Sequence, residues 1–214
     1  MMLNEHYPFH LPPLPYAYDA FDPKIDAVTM KEHHDILFQN YINNLNRALA
    51  PYPIYHDWNL LTLMRYYNDF DEPLRTQVQR SGGGVLNHSL YFEGITPNKK
   101  TAPNKELQTM INRSFGSTEA MRVLMKEQAQ NIYGSGYVWL MRDGAGGLRI
   151  MTTTNQDPPP FEILLPILMI DMWEHAYYIP HQSRKEDYFD FWFDNIDWDE
   201  AAKLNDFAKQ SQRR

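Results

Sequence analysis

The stretch FEILLPILMIDMWEHAYY, residues 161–178, passes from an apolar run directly into acidic, imidazole and phenol side chains. Its segment LLPILMID, 164–171, predicts a buried strand, and a helix is expected from about 173 to 181. A charge in such a low-dielectric setting costs several kcal/mol unless it is paired or bound to a metal ion. Asp171 and His175 therefore mark either a structural ion pair or a metal site.

The spacing of these two residues allows both to reach one point. A carboxylate that ends a strand and an imidazole in the first turn of the next helix can converge on one ion. Oxygen and nitrogen donors of this kind suit iron or manganese. The D-x-x-x-H pattern is weak by itself, so an ion pair is the more common explanation until other ligands are found.

Two further histidines are expected to point inward. His33 shares a helical face with Leu37 and Tyr41, each four residues further along, within a predicted helix at 29–50. His88 lies in the helical segment NHSLYF, among apolar neighbours. Taken singly, each is more typical of a hydrogen-bonded core histidine, but four inward nitrogen and oxygen donors would satisfy one another best around one cation. The histidines in proline-rich or polar loops are expected to bind no metal: His6, His10, His56 and His181.

Helical periodicity dominates the first half of the chain. Thr29 and Glu32 fit an S/T-x-x-E capping box at the start of the helix at 29–50. Further helices are expected near 58–69 and 72–93, and the SGGG segment is expected to interrupt or strain the second of these.

The second half adds a small sheet. The polar segment at 94–105 is the candidate boundary, after which Ser117 is expected to cap a helix. YVWLMRD and LRIMTTTN are rich in β-forming residues and are joined by GAGG, which indicates a hairpin. LLPILMID supplies a third strand. The expected fold is α+β, with an N-terminal long-helix hairpin domain, 1–95, and a C-terminal α/β domain, 96–214, that contains a small three-stranded antiparallel sheet.

Composition excludes several functional classes. The 214 residues carry a net charge of −7 without a basic patch, so a nucleic-acid partner is not expected. No cysteine is present, which excludes disulfides, thiolate metal sites, iron–sulfur clusters and cysteine nucleophiles. No run of about 18 apolar residues occurs, so no membrane-spanning segment is expected. The N-terminal sequence has no signal-peptide pattern, which favours a cytoplasmic protein, although a processed precursor would look the same.

Several motifs together resemble the iron/manganese superoxide dismutase family, from about Tyr7 to Asp206. LPPLPYAYDAFDP is similar to the opening of that family, TMKEHH…YINNLN to its first ligand helix, and NHSLYF to its second ligand motif. FGSTEAM, YGSGYVWL, TNQD and WDEAA match further family segments, and D-x-W-E-H-A-Y-Y is highly specific by itself.

The resemblance implies an enzyme and a set of metal ligands. Such a protein would convert superoxide to oxygen and hydrogen peroxide by alternating reduction and oxidation of one mononuclear Mn or Fe ion per subunit. By position, the ligands would be His33, His88, Asp171 and His175, with water or hydroxide in a fifth position. A 2-His-1-carboxylate oxygenase is the alternative enzyme class, and the third histidine argues against it.

The resemblance also implies roles for residues around these ligands. Gln156 matches the glutamine that hydrogen-bonds the metal-bound solvent in manganese-type members. Gly84 matches the small residue that such members carry where iron-type members place their glutamine, so manganese is favoured and iron is the alternative. Tyr41 matches the gateway tyrosine that links Gln156 to solvent, while Trp173 and Trp139 would wall the pocket.

A homodimer is a further implication of the resemblance. Glu174 matches a glutamate that crosses the dimer interface and accepts a hydrogen bond from the last histidine ligand, here His175 of the partner subunit. The segment DMWEHAYY, 171–178, would therefore face the metal on one side and a second subunit on the other. A dimer and a tetramer both stay open.

The chain departs from the family at the gateway. Leu37 stands where the family usually has a histidine that bonds the tyrosine matching Tyr178 of the neighbouring subunit, and Ile36 and Phe38 stand where lysine and histidine are common. Slower proton delivery and lower turnover are therefore expected. A low-activity or non-enzymatic protein of the same fold is the alternative function. Tyr137 replaces a tryptophan that is usual in the GSG motif.

Charge also differs from the family near the expected substrate funnel. Lys185 and Glu186 replace an Arg-Pro pair, and Ile36 lacks the charge of the usual lysine. Both changes should weaken the steering of an anion into a protein of net charge −7.

Overall fold

The computed structural model describes residues 2–98 and 102–211, so residues 99–101 of the expected boundary segment lie outside the described chain. Within the described ranges, helices make up the N-terminal half, and helices pack against a small antiparallel sheet in the C-terminal half. This arrangement confirms the α+β fold expected from the sequence.

The first long helix begins earlier than the sequence predicted. Asp26 is its N-cap, and the Asp26 carboxylate accepts a hydrogen bond from the backbone N–H of Thr29 at 2.7 Å. The predicted Thr29–Glu32 capping box is therefore wrong: aspartate caps a helix as well as threonine does, and Thr29 lies buried inside the helix. This helix consists of α1, Ala27–Lys31, a π-helical segment, Glu32–Phe38, and α2, Gln39–Leu49.

The other long helix of the hairpin also contains a π-helical segment. It consists of α4, Leu74–Gln77, a π-helical segment, Val78–Gly82, and α5, Gly83–Glu93. The SGGG segment, 81–84, does not interrupt this helix. The π-helical segment ends at Gly82, and α5 begins at Gly83 without a break. π-Helical turns widen a helix locally and are frequent at functional sites.

Shorter helices complete the helical part of the fold. Ser117 caps one of them as predicted, because its hydroxyl accepts a hydrogen bond from the N–H of Ala120 at 3.0 Å. Over residues 2–98 and 102–211, no helix combines the length and the apolar character that a membrane crossing needs. These helices are α3, Leu60–Tyr66, α6, Lys105–Phe115, α7, Thr118–Asn131, α8, Glu174–His181, α9, Lys185–Asp194, and α10, Trp198–Ser211.

Three antiparallel strands form the sheet: β1, Gly136–Asp143, β2, Leu148–Thr154, and β3, Leu164–Asp171. Their order is β2-β1-β3, so β1 lies between its two partners. β3 is buried along its whole length, as its apolar sequence predicts. In the pairing of β1 with β3, Tyr137 lies opposite Asp171.

Elements from both halves of the chain meet where β3 ends. α5 packs against β3, and α8 packs against α1. Because β3 ends at Asp171 and α8 begins at Glu174, the stretch DMWEHAYY lies where the sheet meets the long helices. The fold therefore places histidines of the N-terminal half near the acidic end of β3.

Candidate metal centre

Four residues that the sequence singled out come together in the structure. One ligand atom from each of His33, His88, Asp171 and His175 lies within 4.8 Å of every other. These residues come from the first π-helical segment, α5, the end of β3 and the first turn of α8. The Nε2 atoms of His33 and His175 both lie 3.4 Å from Oδ2 of Asp171.

Two ring nitrogens in this cluster have no other partner. The Nε2 atoms of His33 and His88 are buried and make no hydrogen bond with any described residue. Nδ1 of His88 donates to the backbone carbonyl of Gly84 at 2.7 Å, which fixes the tautomer and leaves Nε2 with its lone pair. A buried polar atom without a partner costs about 1–3 kcal/mol, and a cation between the four residues would remove that penalty.

Burial and charge set the protonation of the cluster. Desolvation lowers the pKa of His33 to about 4 and the pKa of His88 to about 3. Both imidazoles are therefore unprotonated near neutral pH, as metal ligands must be. Burial alone would raise the pKa of Asp171, but the imidazoles of His175 and His33 outweigh it and hold that pKa well below its ordinary value.

The donor set fits a manganese or iron ion. Three imidazole nitrogens and one carboxylate oxygen are the mixture of donors that these metals accept in proteins. Asp171 is oriented by its own surroundings, because its Oδ1 accepts a hydrogen bond from the backbone N–H of Trp173 at 2.8 Å. Its other oxygen faces His33 and His175.

A cavity of about 460 Å³ lies beside the cluster. The ring of Tyr41 lies 5.1 Å from that of His88, and the ring of Trp173 lies 5.5 Å from that of His175. Gln156 donates from Nε2 to the Tyr41 hydroxyl at 3.2 Å. Tyr41, Gln156 and Trp173, the three residues expected around the metal, therefore line one cavity. Its other lining residues are Gln79, Arg80, Asn155 and Asp157.

Two residues for which no role was expected from the sequence hold the Gln156 amide. Oε1 of Gln156 accepts hydrogen bonds from Asn87 Nδ2 at 2.8 Å and from the Tyr137 hydroxyl at 2.9 Å. Asn87 comes directly before His88 in the NHSLYF motif, and Tyr137 is the residue that departs from the usual GSG motif. The position of Asn87 next to His88 and the unusual tyrosine in the GSG motif were both visible in the sequence, but neither feature indicated a contact with Gln156.

Two glycines of α5, Gly83 and Gly84, allow other segments of the chain to pack closely against this helix. A Cβ atom on Gly84 would overlap the ring of Tyr41, and one on Gly83 would overlap the backbone carbonyl of Gln156. Gly84 therefore provides the space in which Tyr41 packs.

Trp139 lies behind the site. It is fully buried, its Nε1 donates to Thr153 Oγ1 at 3.0 Å, and it is not among the cavity-lining residues. Its ring centroid lies 6.0 Å from that of Tyr137. In the structure Trp139 therefore packs next to Tyr137 rather than facing the cavity.

The residues expected at a subunit interface lie at the surface of the single chain. Glu174 is exposed, and Tyr178 is 52% exposed. Ile36 is also exposed, whereas Leu37 is half-buried.

The remaining histidines lie outside the cluster. His181, expected in a polar loop, is instead buried in α8 with its ring 5.7 Å from that of Tyr188, because α9 packs over α8. His34 is also buried, with Nδ1 2.8 Å from Asp35 Oδ1 and with Nε2 3.0 Å from the carbonyl of Pro12. The others stand apart from the four candidate ligands: His6, His10 and His56.

Family models match most of the chain. The model of the α-hairpin domain of iron/manganese superoxide dismutases matches residues 8–96. The model of the C-terminal domain of the same proteins matches residues 103–204.

Curated relatives match over nearly their whole length. The chain is 40% identical over 198 residues to a superoxide dismutase (Mn) of Thermus thermophilus, which covers 92% of this chain and 97% of that protein. It is 41% identical over 196 residues to a superoxide dismutase (Mn) of Pseudomonas aeruginosa, covering 92% and 96%. A superoxide dismutase (Mn) 3 of Leptolyngbya boryana is 38% identical over 207 residues, covering 97% and 87%.

Proposed function

The chain belongs to the iron/manganese superoxide dismutase family, and on that premise we propose that His33, His88, Asp171 and His175 hold its metal ion, one manganese per subunit. One observation carries the proposal. Four donor atoms lie within 4.8 Å of one another, and two of them are buried nitrogens without another partner among the described residues.

The activity of the chain follows from its family. It is an oxidoreductase that acts on superoxide and converts it to oxygen and hydrogen peroxide. Nothing in the similarities favours the non-enzymatic alternative. The presence of all four candidate ligands in one cluster also argues against it.

The residues around the cluster provide the setting for this reaction. When bound, the metal supplies one-electron chemistry, since manganese and iron both alternate between two oxidation states. The cavity beside it has a volume of about 460 Å³, which is sufficient for a small anion, and Trp173 and Tyr41 are among its lining residues. Burial raises the pKa of Tyr41, so that its hydroxyl stays protonated near neutral pH and can donate a proton towards the forming peroxide. Gln156 links this hydroxyl to the interior through Nε2.

Manganese is the metal that the surroundings of the cluster favour. Gln156 supplies the amide from the loop after β2, and Gly84 leaves no side chain to supply one from α5. The relatives described above are all named as manganese proteins. Iron is the alternative metal.

A homodimer is the proposed assembly. Its support is the surface position of Glu174, one residue before the candidate ligand His175, together with the half-exposed Tyr178. In the proposed dimer, Glu174 accepts a hydrogen bond from His175 of the partner subunit. Light scattering of the purified chain tests this assembly, and a monomeric mass would contradict it.

The division of the chain stays a proposal as well. We place it between residues 95 and 96, and its support is the separation of the two family matches, at 8–96 and 103–204. The cytoplasmic location stays a prediction, which fractionation of the source cells would test.

Removal of single ligands tests the metal site. We expect His88→Ala and Asp171→Ala to lower the bound manganese per chain at least tenfold and to abolish superoxide consumption, because each change removes a donor from a four-donor site. Metal content is measured by elemental analysis and activity by stopped-flow spectroscopy.

His10→Gln is the matched control, since His10 is exposed and lies outside the cluster. It should keep full metal content and activity. Normal manganese content in either ligand variant would contradict the proposed site, even if activity were lost.

A further inference from the structure

A second groove, of about 260 Å³, lies between the two long helices and adjoins the cavity beside the metal cluster. α2 supplies Arg47 to this groove, and the second π-helical segment supplies Arg80 and Ser81. No acidic side chain is found among the described residues that line it. Arg80 lines both spaces, so the groove and the cavity share one guanidinium group.

Both guanidinium groups of the groove lack an anionic partner. Arg80 makes no side-chain hydrogen bond or ion pair with any residue that the structure describes. Over the same described ranges, Arg47 donates only from Nη1 to Asn44 Oδ1, at 3.0 Å. Arg47 and Arg80 therefore present two positive charges to one polar groove.

Nearby carboxylates are bound to other groups. Asp157 lines the cavity together with Arg80, but each of its two oxygens accepts a side-chain hydrogen bond from elsewhere, at 2.7 Å and 3.1 Å. Glu72 pairs with Arg75 at 3.0 Å. The charge of the groove is therefore not neutralised within the described chain.

A buried hydroxyl gives independent support for a ligand in the groove. Ser81 is only 9% exposed, and its hydroxyl makes no hydrogen bond with any described residue. The hydroxyl oxygen is nevertheless not sealed off from solvent, and Ser81 lines the groove. It therefore has a proton to donate to a molecule bound there.

We propose that this groove binds a phosphate group, which Arg47, Arg80 and Ser81 hold through their side-chain donors. The planar guanidinium group offers paired N–H donors that match two oxygens of a phosphate. The amides of Asn44 and Gln77 also line the groove and add donors for the remaining oxygens. A carboxylate has only two oxygens and would use fewer of these donors. Two cations in a chain of net charge −7 favour a small anion over a nucleic acid.

Bound phosphate lowers the capture of superoxide, because it neutralises Arg80 at the mouth of the cavity. This consequence rests on the proposed function, whereas the binding of phosphate does not. The phosphate touches no metal ligand in the groove, so it lowers kcat/KM and leaves kcat unchanged.

Three substitutions distinguish the groove from general charge effects. Arg47→Gln removes a guanidinium group that lines the groove but not the metal cavity. Arg47→Lys keeps the charge and removes the planar fork. Arg149→Gln is the matched control, because it makes the same change of net charge on β2, where Arg149 is exposed and pairs with Asp143 at 3.1 Å.

The first readout is the binding of inorganic phosphate to the full, manganese-loaded chain, measured by titration calorimetry at constant ionic strength. We expect one site per chain, about 5-fold weaker binding in Arg47→Gln, and unchanged binding in Arg149→Gln. Arg47→Lys should lie between them. Phosphate bound to the metal instead would bind all four proteins alike, because Arg47 does not line the metal cavity.

Other anions identify the chemical group that is recognised. Glycerol 3-phosphate should bind at least as tightly as inorganic phosphate if a phosphate ester is the natural ligand, and more weakly if the free ion is. Acetate should bind about 5-fold more weakly than either one, because it accepts fewer hydrogen bonds. Acetate that binds as tightly as phosphate would overturn the assignment to a phosphate group.

The second readout is turnover while potassium phosphate replaces potassium chloride at constant ionic strength. Saturating phosphate should lower kcat/KM about 2-fold in the original chain and in Arg149→Gln, at unchanged kcat. In Arg47→Gln and Arg80→Gln, each compared with its own value in chloride, the same phosphate concentration should have a smaller effect.

The outcomes separate the groove from the proposed function. Equal phosphate affinities of the original chain and Arg47→Gln would overturn the groove, whatever happens to turnover. Binding that depends on Arg47 but leaves kcat/KM unchanged would overturn the effect on capture. A chain without superoxide activity that binds phosphate through Arg47 would contradict the proposed function and support the groove.

Discussion

At the scale of single residues, Leu37 removes a polar group from the expected proton route. It is half-buried, and it can neither donate nor accept a hydrogen bond. Tyr178, whose usual partner would stand at this position in a neighbouring subunit, is half-exposed in the single chain. We therefore propose that proton delivery to the cavity depends on Tyr41 and on water.

Restoring the imidazole should therefore speed the enzyme. We expect Leu37→His to raise kcat about 5-fold at unchanged manganese content, because a general acid–base group near the reacting proton accelerates its transfer. Leu37→Phe, which adds an aromatic ring that can neither donate nor accept a proton, serves as the control. The kcat of both variants is measured by stopped-flow spectroscopy at saturating superoxide. A kcat of Leu37→His no higher than that of Leu37→Phe would contradict the expected role of the imidazole.

The four candidate ligands and their expected neighbours Tyr41, Gln156 and Trp173 could be named from the sequence, but the residues that hold the Gln156 amide could not. The D-x-W-E-H motif and the helical positions of His33 and His88 identified the cluster. The bonds of Asn87 and Tyr137 to Gln156 span 69 and 19 residues of sequence, so no local pattern records them. His181 was expected in a loop because Pro180 precedes it and the polar residues Gln182 and Ser183 follow it, whereas the packing of α9 against α8 buries it.

At the scale of elements, the approach of α5 to α2 depends on the absence of a side chain. A Cβ atom at Gly84 would overlap the ring of Tyr41, which α2 carries. We expect Gly84→Ala to lower the free energy of unfolding of the metal-free protein by about 2 kcal/mol, because overpacking outweighs the better helix propensity of alanine. Displacement of Tyr41 should lower activity as well.

Urea unfolding measures this effect against a matched glycine. Gly144 lies in the β1–β2 turn, and a Cβ atom there would meet nothing within 4 Å. Gly144→Ala should therefore keep the original stability within about 0.5 kcal/mol. Equal free energies of unfolding for Gly84→Ala and Gly144→Ala would show that the close packing of Tyr41 on Gly84 does not affect stability.

The strands and most helices were predictable because their signals are local. The apolar run gave β3, and GAGG between two β-forming segments gave the hairpin of β1 and β2. The predicted start of α1 was wrong because two capping signals lie close together in the sequence. The Thr29–Glu32 capping box was chosen, whereas Asp26, an equally good N-cap residue, caps the helix in the structure. The π-helical segments were not foreseen, since one extra residue in a turn leaves no clear mark in a 3.6-residue period.

At the scale of the whole molecule, the buried imidazoles make the metal-free protein sensitive to acid. Burial holds the pKa of His33 at about 4 and that of His88 at about 3, below the value of about 6.5 in an unfolded chain. Between these values the unfolded chain binds more protons than the folded chain, so stability is full above about pH 6.5 and falls as the pH drops.

The expected loss is on the order of 2 kcal/mol for each imidazole between about pH 7 and pH 5. Urea unfolding of the metal-free protein at several pH values measures it. His88→Gln should flatten the dependence, whereas His10→Gln should leave it unchanged. A free energy of unfolding that stays constant over this range in the original chain would mean that the imidazoles are not buried in this way.

Charge at the cavity mouth should govern the capture of substrate. Arg80 is exposed, lines the cavity beside the metal cluster, and also lines an adjoining groove with Arg47. In a protein of net charge −7 such a cation attracts superoxide locally. We expect Arg80→Gln to lower kcat/KM about 2-fold at low ionic strength without changing kcat.

Salt distinguishes steering from other effects of this substitution. The difference between Arg80→Gln and the original chain should vanish at high ionic strength, because salt screens exposed charges. Arg75→Gln is the control, since Arg75 pairs with Glu72 at 3.0 Å and does not line the cavity. A twofold loss that persists at all salt concentrations would refute the steering role of Arg80.

Anomalous X-ray diffraction from crystals of the manganese-loaded protein, recorded on both sides of the manganese absorption edge, would locate the metal ion. We expect one anomalous peak per chain, about 2 Å from a nitrogen of each of His33, His88 and His175 and from an oxygen of Asp171. A manganese peak bound elsewhere, or a fully loaded chain with no peak between these four side chains, would contradict it.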